Sequence, residues 1–134
     1  MYRIPLLALF LLLLLFAADS DLAGRYAGEW KSNGAGGGGS FRMSLEAPSG
    51  GAWKCEFAFA FGGEDVKTTL RACKLEQSKL EATYDFDLQG NALRSKVTGT
   101  WNGKAFDGQY ETTTSDGGTA VDDGTWTMTP ASAQ

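Results

Sequence analysis

From Leu22 onward the chain alternates apolar and polar residues with period two, and turn residues interrupt it before any helical period can establish itself. Side chains of a strand point to opposite faces in turn, so this pattern marks strands with one apolar and one polar face. The first such strand carries Tyr26 and Trp30 against Arg25 and Glu29, and FRMSLE (residues 41–46) sets Phe41, Met43 and Leu45 against Arg42, Ser44 and Glu46. AWKCEFAFAF (52–61) aligns Trp53, Cys55, Phe57, Phe59 and Phe61, and VKTTLRACKL (66–75) begins with Val66, Thr68 and Leu70 on its apolar side. LEATYDFDL (80–88), ALRSKVTGTW (92–101), AFDGQYET (105–112) and DGTWTMT (123–129) repeat the scheme, with Tyr84, Phe86, Val97, Trp101, Phe106, Tyr110 and Trp126 on the apolar phase.

Eight strands joined by hairpin-like connectors (APSGG, GGED, QGN, NGK) and by the longer SNGAGGGGS and SDGGTAVD predict antiparallel neighbours in sequence order. The fold class expected is all-β, an eight-stranded antiparallel up-and-down β-barrel, whose closure also removes exposed edges. Glycines share the apolar phase with the rings at Gly24, Gly28, Gly99, Gly108 and Gly124. A narrow barrel cannot seat a large side chain at every inward position, so large and small residues alternate. The same glycines leave room either for packed rings or for a cavity. Alternation alone does not say which face is inside. An outer-membrane barrel would turn the apolar face to lipid, but the glycines on that face, the short strands and the trailing PASAQ weigh against it.

One segment breaks phase: Val66 to Leu70 is apolar at even positions, whereas Cys73 and Leu75 are odd. A helix over 64–77 would account for this, but Thr68 and Thr69 favour a strand with a β-bulge near Arg71 and Ala72. Pairing Phe61 with Val66 across GGED, plus one extra residue, would bring Cys55 opposite Cys73 at disulfide distance. A pair of free buried thiols is the alternative.

The N-terminus, MYRIPLLALFLLLLLFAADS, has one basic residue, a short apolar run and small residues, the layout of a signal peptide. Residues 1–20 are therefore expected to be a signal peptide and 21–134 a single barrel domain, secreted or periplasmic, with no stable membrane insertion after cleavage. An uncleaved anchor is the alternative. The chain has 12 basic and 16 acidic residues, a net charge of −4, and no basic stripe, which excludes nucleic acid as an expected partner.

The glycine-aromatic repeats AGRYAGEW, TGTWNG, DGQYET and DGTWTM resemble those of calycin-type barrels, the lipocalin and avidin-like folds. The resemblance spans residues 22–129 as a pattern. It implies an eight-stranded meander, often exported, many of whose members hold small apolar or amphipathic ligands. Gly28 and Trp30 fit a lipocalin first strand, but the long N-terminal helix and later motifs are missing, and no avidin-like polar set can be matched. The fold carries over and the ligand does not.

No histidine is present, so a Ser-His-Asp or Cys-His site cannot form within this chain. The carboxylate pairs Asp85/Asp87, Asp122/Asp123 and Glu64/Asp65 read as solvated strand and turn charges, and Asp116, Asp122 and Asp123 do not follow calcium-loop spacing. GAGGGGS lacks the lysine of a phosphate loop and reads as a flexible loop at a barrel mouth. No cofactor and no metal is expected. The function expected is that of an exported, non-enzymatic binding module holding a small apolar or aromatic ligand, with a lining of Tyr26, Trp30, Phe57, Phe59, Tyr84, Trp101, Tyr110 and Trp126. Tyr26, Tyr84, Tyr110, Thr68, Ser95 and Thr112 are the polar groups of the inward phase. The alternative is a solid barrel acting through its exterior or loops, as a protein-interaction or protease-inhibitor module of unknown protein partner.

Overall fold

The computed structural model describes residues 20–34, 37–48 and 52–131, so the expected leader lies outside the described residues except for Ser20. A single 3-10 turn, Ser20–Leu22, is followed by β1 (Gly24–Ser32), β2 (Gly38–Glu46), β3 (Lys54–Phe61), β4 (Glu64–Lys67), β5 (Thr69–Glu76), β6 (Lys79–Leu88), β7 (Asn91–Trp101), β8 (Phe106–Thr114) and β9 (Ala120–Pro130). The sheet is antiparallel throughout, with strand order β4-β3-β2-β1-β9-β8-β7-β6-β5.

The two edges of this sheet, β4 and β5, are consecutive in the chain with Thr68 alone between them. Adjacent Cα atoms are about 3.8 Å apart, so the edges must meet, and the sheet rolls into a nearly closed up-and-down barrel. This is also why nine strands are found where eight are expected. The segment 66–75 is not one strand but breaks at Thr68, pairing with β3 before the break and with β6 after it. The bulge expected near Arg71 is present as a register shift between Leu70 and Ala72. Leu70, expected to face inward, is instead 37% exposed, in the short stretch between break and bulge where the strand changes partner.

The β3–β4 hairpin is two residues tighter than expected. Gly62 and Gly63 both take positive φ (60° and 82°) and form a two-residue turn. Phe61 therefore pairs with Glu64 and Phe59 with Val66, not Phe61 with Val66. The disulfide Cys55–Cys73 nevertheless forms, with Cα atoms 6.3 Å apart. It joins β3 to β5 across the seam rather than within a hydrogen-bonded ladder. Beside it Thr68 Oγ1 donates to the Phe57 carbonyl at 2.6 Å. These two links hold the seam where β5 has left β3.

Inward positions are buried strand after strand, and Leu80, Val97, Phe106 and Met128 are wholly inaccessible. At the end carrying the 3-10 turn and the β7–β8 connection, here the base, Leu22 is buried and its carbonyl accepts a hydrogen bond from Tyr26 Oη at 2.7 Å. The other end, the rim, carries the β1–β2, β3–β4, β6–β7 and β8–β9 connections.

Candidate functional site

The glycines of the inward phase decide where the rings lie. Gly99 and Gly108 face each other across β7 and β8, and the Trp126 indole lies over both. A Cβ at Gly99 would approach Trp126 Cζ2 to 2.5 Å, and one at Gly108 would approach Cε2 to 2.6 Å. Gly124 gives the same room to the Tyr110 ring, with a Cβ there reaching its Cε1 at 2.6 Å. Rings thus lie flat against bare backbone. Across the middle of the barrel, Phe57 stacks on Phe41 and Tyr84 at 6.1 and 5.3 Å, and Trp126 meets Phe41 edge-on at 5.6 Å. Phe41 and Tyr84 close this layer from above and face a hollow.

That hollow is a cavity of about 380 Å³ at the rim end, lined by Trp30, Phe41, Phe59, Phe61, Tyr84, Phe86, Leu88, Leu93, Ser95, Tyr110, Thr112 and Asp122, with Gly34 and Val121 at its border. The volume falls in the range of small-molecule sites, roughly 300–1,000 Å³. Its aromatic wall is fixed by ring contacts. Trp30 stacks on Phe61 at 6.3 Å with 12° between planes, and meets Phe59 and Tyr110 edge-on at 6.3 and 6.0 Å. Phe59 meets Phe86 edge-on at 5.0 Å. Trp30 Nε1 donates to the Ala60 carbonyl at 3.0 Å, passing close over Gly39, where a Cβ would stand 3.0 Å from that nitrogen.

A row of polar side chains also lines the cavity. Tyr84, Ser95, Thr112 and Asp122 are successive cross-strand partners on β6, β7, β8 and β9, and so form one row. Ser95 Oγ and Thr112 Oγ1 share a hydrogen bond at 2.6 Å. Asp122 accepts from Tyr110 Oη at 2.8 Å and from Ser32 Oγ at 2.6 Å. Burial raises the Tyr110 phenol well above its ordinary value, and the hydrogen bond to Asp122 with that carboxylate's charge raises it further. Burial likewise raises Tyr84, against a smaller opposing effect of the Ser95 hydrogen bond.

Of the eight residues expected to line a cavity, Trp30, Phe59, Tyr84 and Tyr110 do so. Phe57 and Trp126 lie in the layer beneath. Tyr26 and Trp101 pack at the base, both against Phe106 at 5.1 and 5.2 Å. Among the expected polar groups, Tyr84, Tyr110, Ser95 and Thr112 reach the cavity, whereas Tyr26 is engaged with Leu22 and Thr68 with the seam. Asp122 is the residue that sequence reading places wrongly, as a turn charge. Strand β9 begins at Ala120, and Asp122 shares the inward phase of Gly124, Trp126 and Met128. That even-numbered phase was the available signal. Its neighbours lead elsewhere: Asp123 accepts from Asn33 Nδ2 at 3.1 Å outside the barrel, and Asp116 accepts from the Gly118 amide at 2.9 Å within its turn. Among the described residues no group of three or more His, Cys, Asp or Glu converges to hold a metal ion.

On the outer face Asp85 accepts from Arg94 Nε at 2.6 Å and Nη2 at 3.1 Å, and its carboxyl is held below the usual range mainly by that hydrogen bond. No helix among the described residues is long and apolar enough to cross a membrane. Compared with protein-family models, curated proteins and solved structures, the chain matches none, and its likeness to calycin-type barrels therefore rests on the nearly closed antiparallel barrel alone.

Proposed function

We propose that this protein is an exported, non-enzymatic binding module that holds a small apolar or aromatic molecule in the rim-end cavity. The observation that carries the reading is the hollow itself. About 380 Å³ lies open among rings at one end of a barrel whose other end is closed by buried side chains. A barrel acting only through its exterior has no use for that space. The cavity is lined chiefly by rings and aliphatic side chains with a few convergent polar groups, the usual composition of a small-molecule site. The signal-like N-terminus and the Cys55–Cys73 disulfide support export, because disulfides persist in oxidising compartments.

The test is tryptophan fluorescence of the domain beginning at Asp21, titrated with fatty acids, retinoids, flavonoids and small aromatic compounds. Trp30 alone among the four tryptophans lines the cavity, so a saturable change is expected that Trp30→Phe largely removes. A flat response across the panel from folded protein overturns the reading. So does a saturable change that survives Trp30→Phe undiminished, since the ligand would then sit elsewhere.

A further inference from the structure

The two parts of the cavity lining differ in chemistry, and the difference selects among ligands. One part is aromatic, Trp30, Phe59 and Phe61, with Phe86 of β6 beside Tyr84. The other is the row Tyr84–Ser95–Thr112–Asp122, which ends on a half-buried carboxylate. Among the described residues no lysine or arginine lines the cavity, and the chain has no histidine, so nothing on that lining answers the Asp122 charge with a positive one.

Asp122 has acceptor capacity beyond what its neighbours use. An ionised carboxylate offers about four lone-pair directions. The bonds described to it are one from Tyr110 Oη to Oδ2 and one from Ser32 Oγ to Oδ1. Both of these donors are neutral hydroxyls. They orient the carboxylate without neutralising it. Partial burial of Asp122 among rings strengthens its attraction to an entering cation and its repulsion of an entering anion relative to open water. The faces of the surrounding rings act in the same direction, because a cation over an aromatic face is attracted by the ring quadrupole.

We propose that the cavity selects organic cations, specifically a protonated amine on a small aromatic or apolar body, with the ammonium at Asp122 and the body against the Trp30–Phe59–Phe86 wall. This rests on the cavity-binding reading and narrows it, since carboxylic acids such as fatty acids become the disfavoured class. Tyr110 is a positioning residue here: its hydroxyl donates to the carboxylate and fixes it.

Three probes of nearly one shape test this by isothermal titration calorimetry: phenylbutylamine, butylbenzene and phenylbutyrate, at neutral pH and low salt. The amine is expected to bind most tightly and the carboxylate most weakly. Asp122→Asn keeps the shape and one accepting oxygen while removing the charge, and the hydroxyl facing the new NH2 can rotate to accept from it. The substitution is expected to weaken the amine roughly tenfold or more, the scale of a charge-assisted hydrogen bond, and to leave butylbenzene nearly unchanged. Equal binding of amine and butylbenzene, or an amine affinity untouched by Asp122→Asn, overturns the amine assignment while the cavity reading stands. Binding of none of the three to folded protein overturns the amine assignment, and the cavity reading falls with it only if the wider fluorescence panel is flat as well. Should Asp122→Asn not fold, the ranking of the three probes on the unaltered protein decides alone.

Discussion

Phe106 and Tyr110 stand on the same strand, four residues apart and on the same face, yet their surroundings differ sharply. Phe106 is wholly inaccessible, edge-on to Tyr26 and tilted against Trp101, with the buried Leu22 closing the base nearby. Tyr110 borders the cavity, its ring over Gly124 and its hydroxyl held by Asp122. The base holds rings as well, Tyr26, Trp101 and Phe106 in mutual contact, and the wholly inaccessible Leu80 and Met128 belong to the same core. At the rim the inward residues are rings tied to the wall by hydrogen bonds and ring contacts, Trp30 to Ala60 and Tyr110 to Asp122, and they cannot fold inward to fill the space between them. One end is therefore a packed core and the other a hollow.

The contrast is most severely tested by paired truncations. Phe106→Ala is expected to cost about 3–5 kcal/mol, the range for a fully packed aromatic. Phe59→Ala should cost clearly less, because part of that ring already faces a hollow and has fewer packing partners to lose. Urea midpoints measure both, and equal losses would mean that the rim is packed as tightly as the base. Next in size is the seam. Replacing Cys55 and Cys73 together by Ser is expected to lower stability by about 3 kcal/mol, as for a loop closed over a separation of 18 residues. Amide exchange should accelerate first along β3 and β5, since no ladder joins them. Uniform acceleration around the barrel would show that the disulfide is not a local clamp.

The layer between the two halves responds to smaller changes. Gly108→Ala places a methyl group 2.0 Å from the Thr98 carbonyl oxygen and 2.6 Å from Trp126 Cε2, and is expected to cost roughly 1–3 kcal/mol or more as overpacking, with a shift in tryptophan emission. An unchanged midpoint would mean that both the β7–β8 backbone and Trp126 have room to move. The gentlest effect is alkaline. Tyr26, Tyr84 and Tyr110 all hold their protons more tightly when folded than the ordinary phenol value of 10.0 allows, because of burial first. The unfolded chain releases them near that value, so their contribution is intact below about pH 10 and declines as pH rises beyond it. Urea midpoints should begin to drift down there, and Tyr110→Phe should make the decline shallower. A midpoint flat through the alkaline range would contradict burial of these phenols.

Much of this was legible because strand alternation is local. Tyr26, Phe57, Tyr84, Val97 and Phe106 announce their inward phase in the sequence, and the phase slip between Leu70 and Cys73 announces the bulge. The break at Thr68 was not legible, since a change of hydrogen-bonding partner leaves the local pattern of an extended chain unaltered. Nor was the Phe59–Val66 register, which depends on Gly62 and Gly63 both adopting positive φ. Asp122 was misplaced for a related reason: Asp in a stretch rich in Gly and Asp reads as a turn, and only pairing with Thr112 extends β9 far enough to carry it inside.

By itself the sequence determined an all-β chain, which residues of nearly every strand share a face, and two cysteines able to meet, all of which follow from periodicity and spacing. Tertiary structure alone decided where the sheet closes, that the disulfide crosses the seam, and that the hollow lies at the rim with Asp122 on its wall. Those depend on which rings meet across strands far apart in the chain and on how much space remains once they have met, and periodicity carries no information about either.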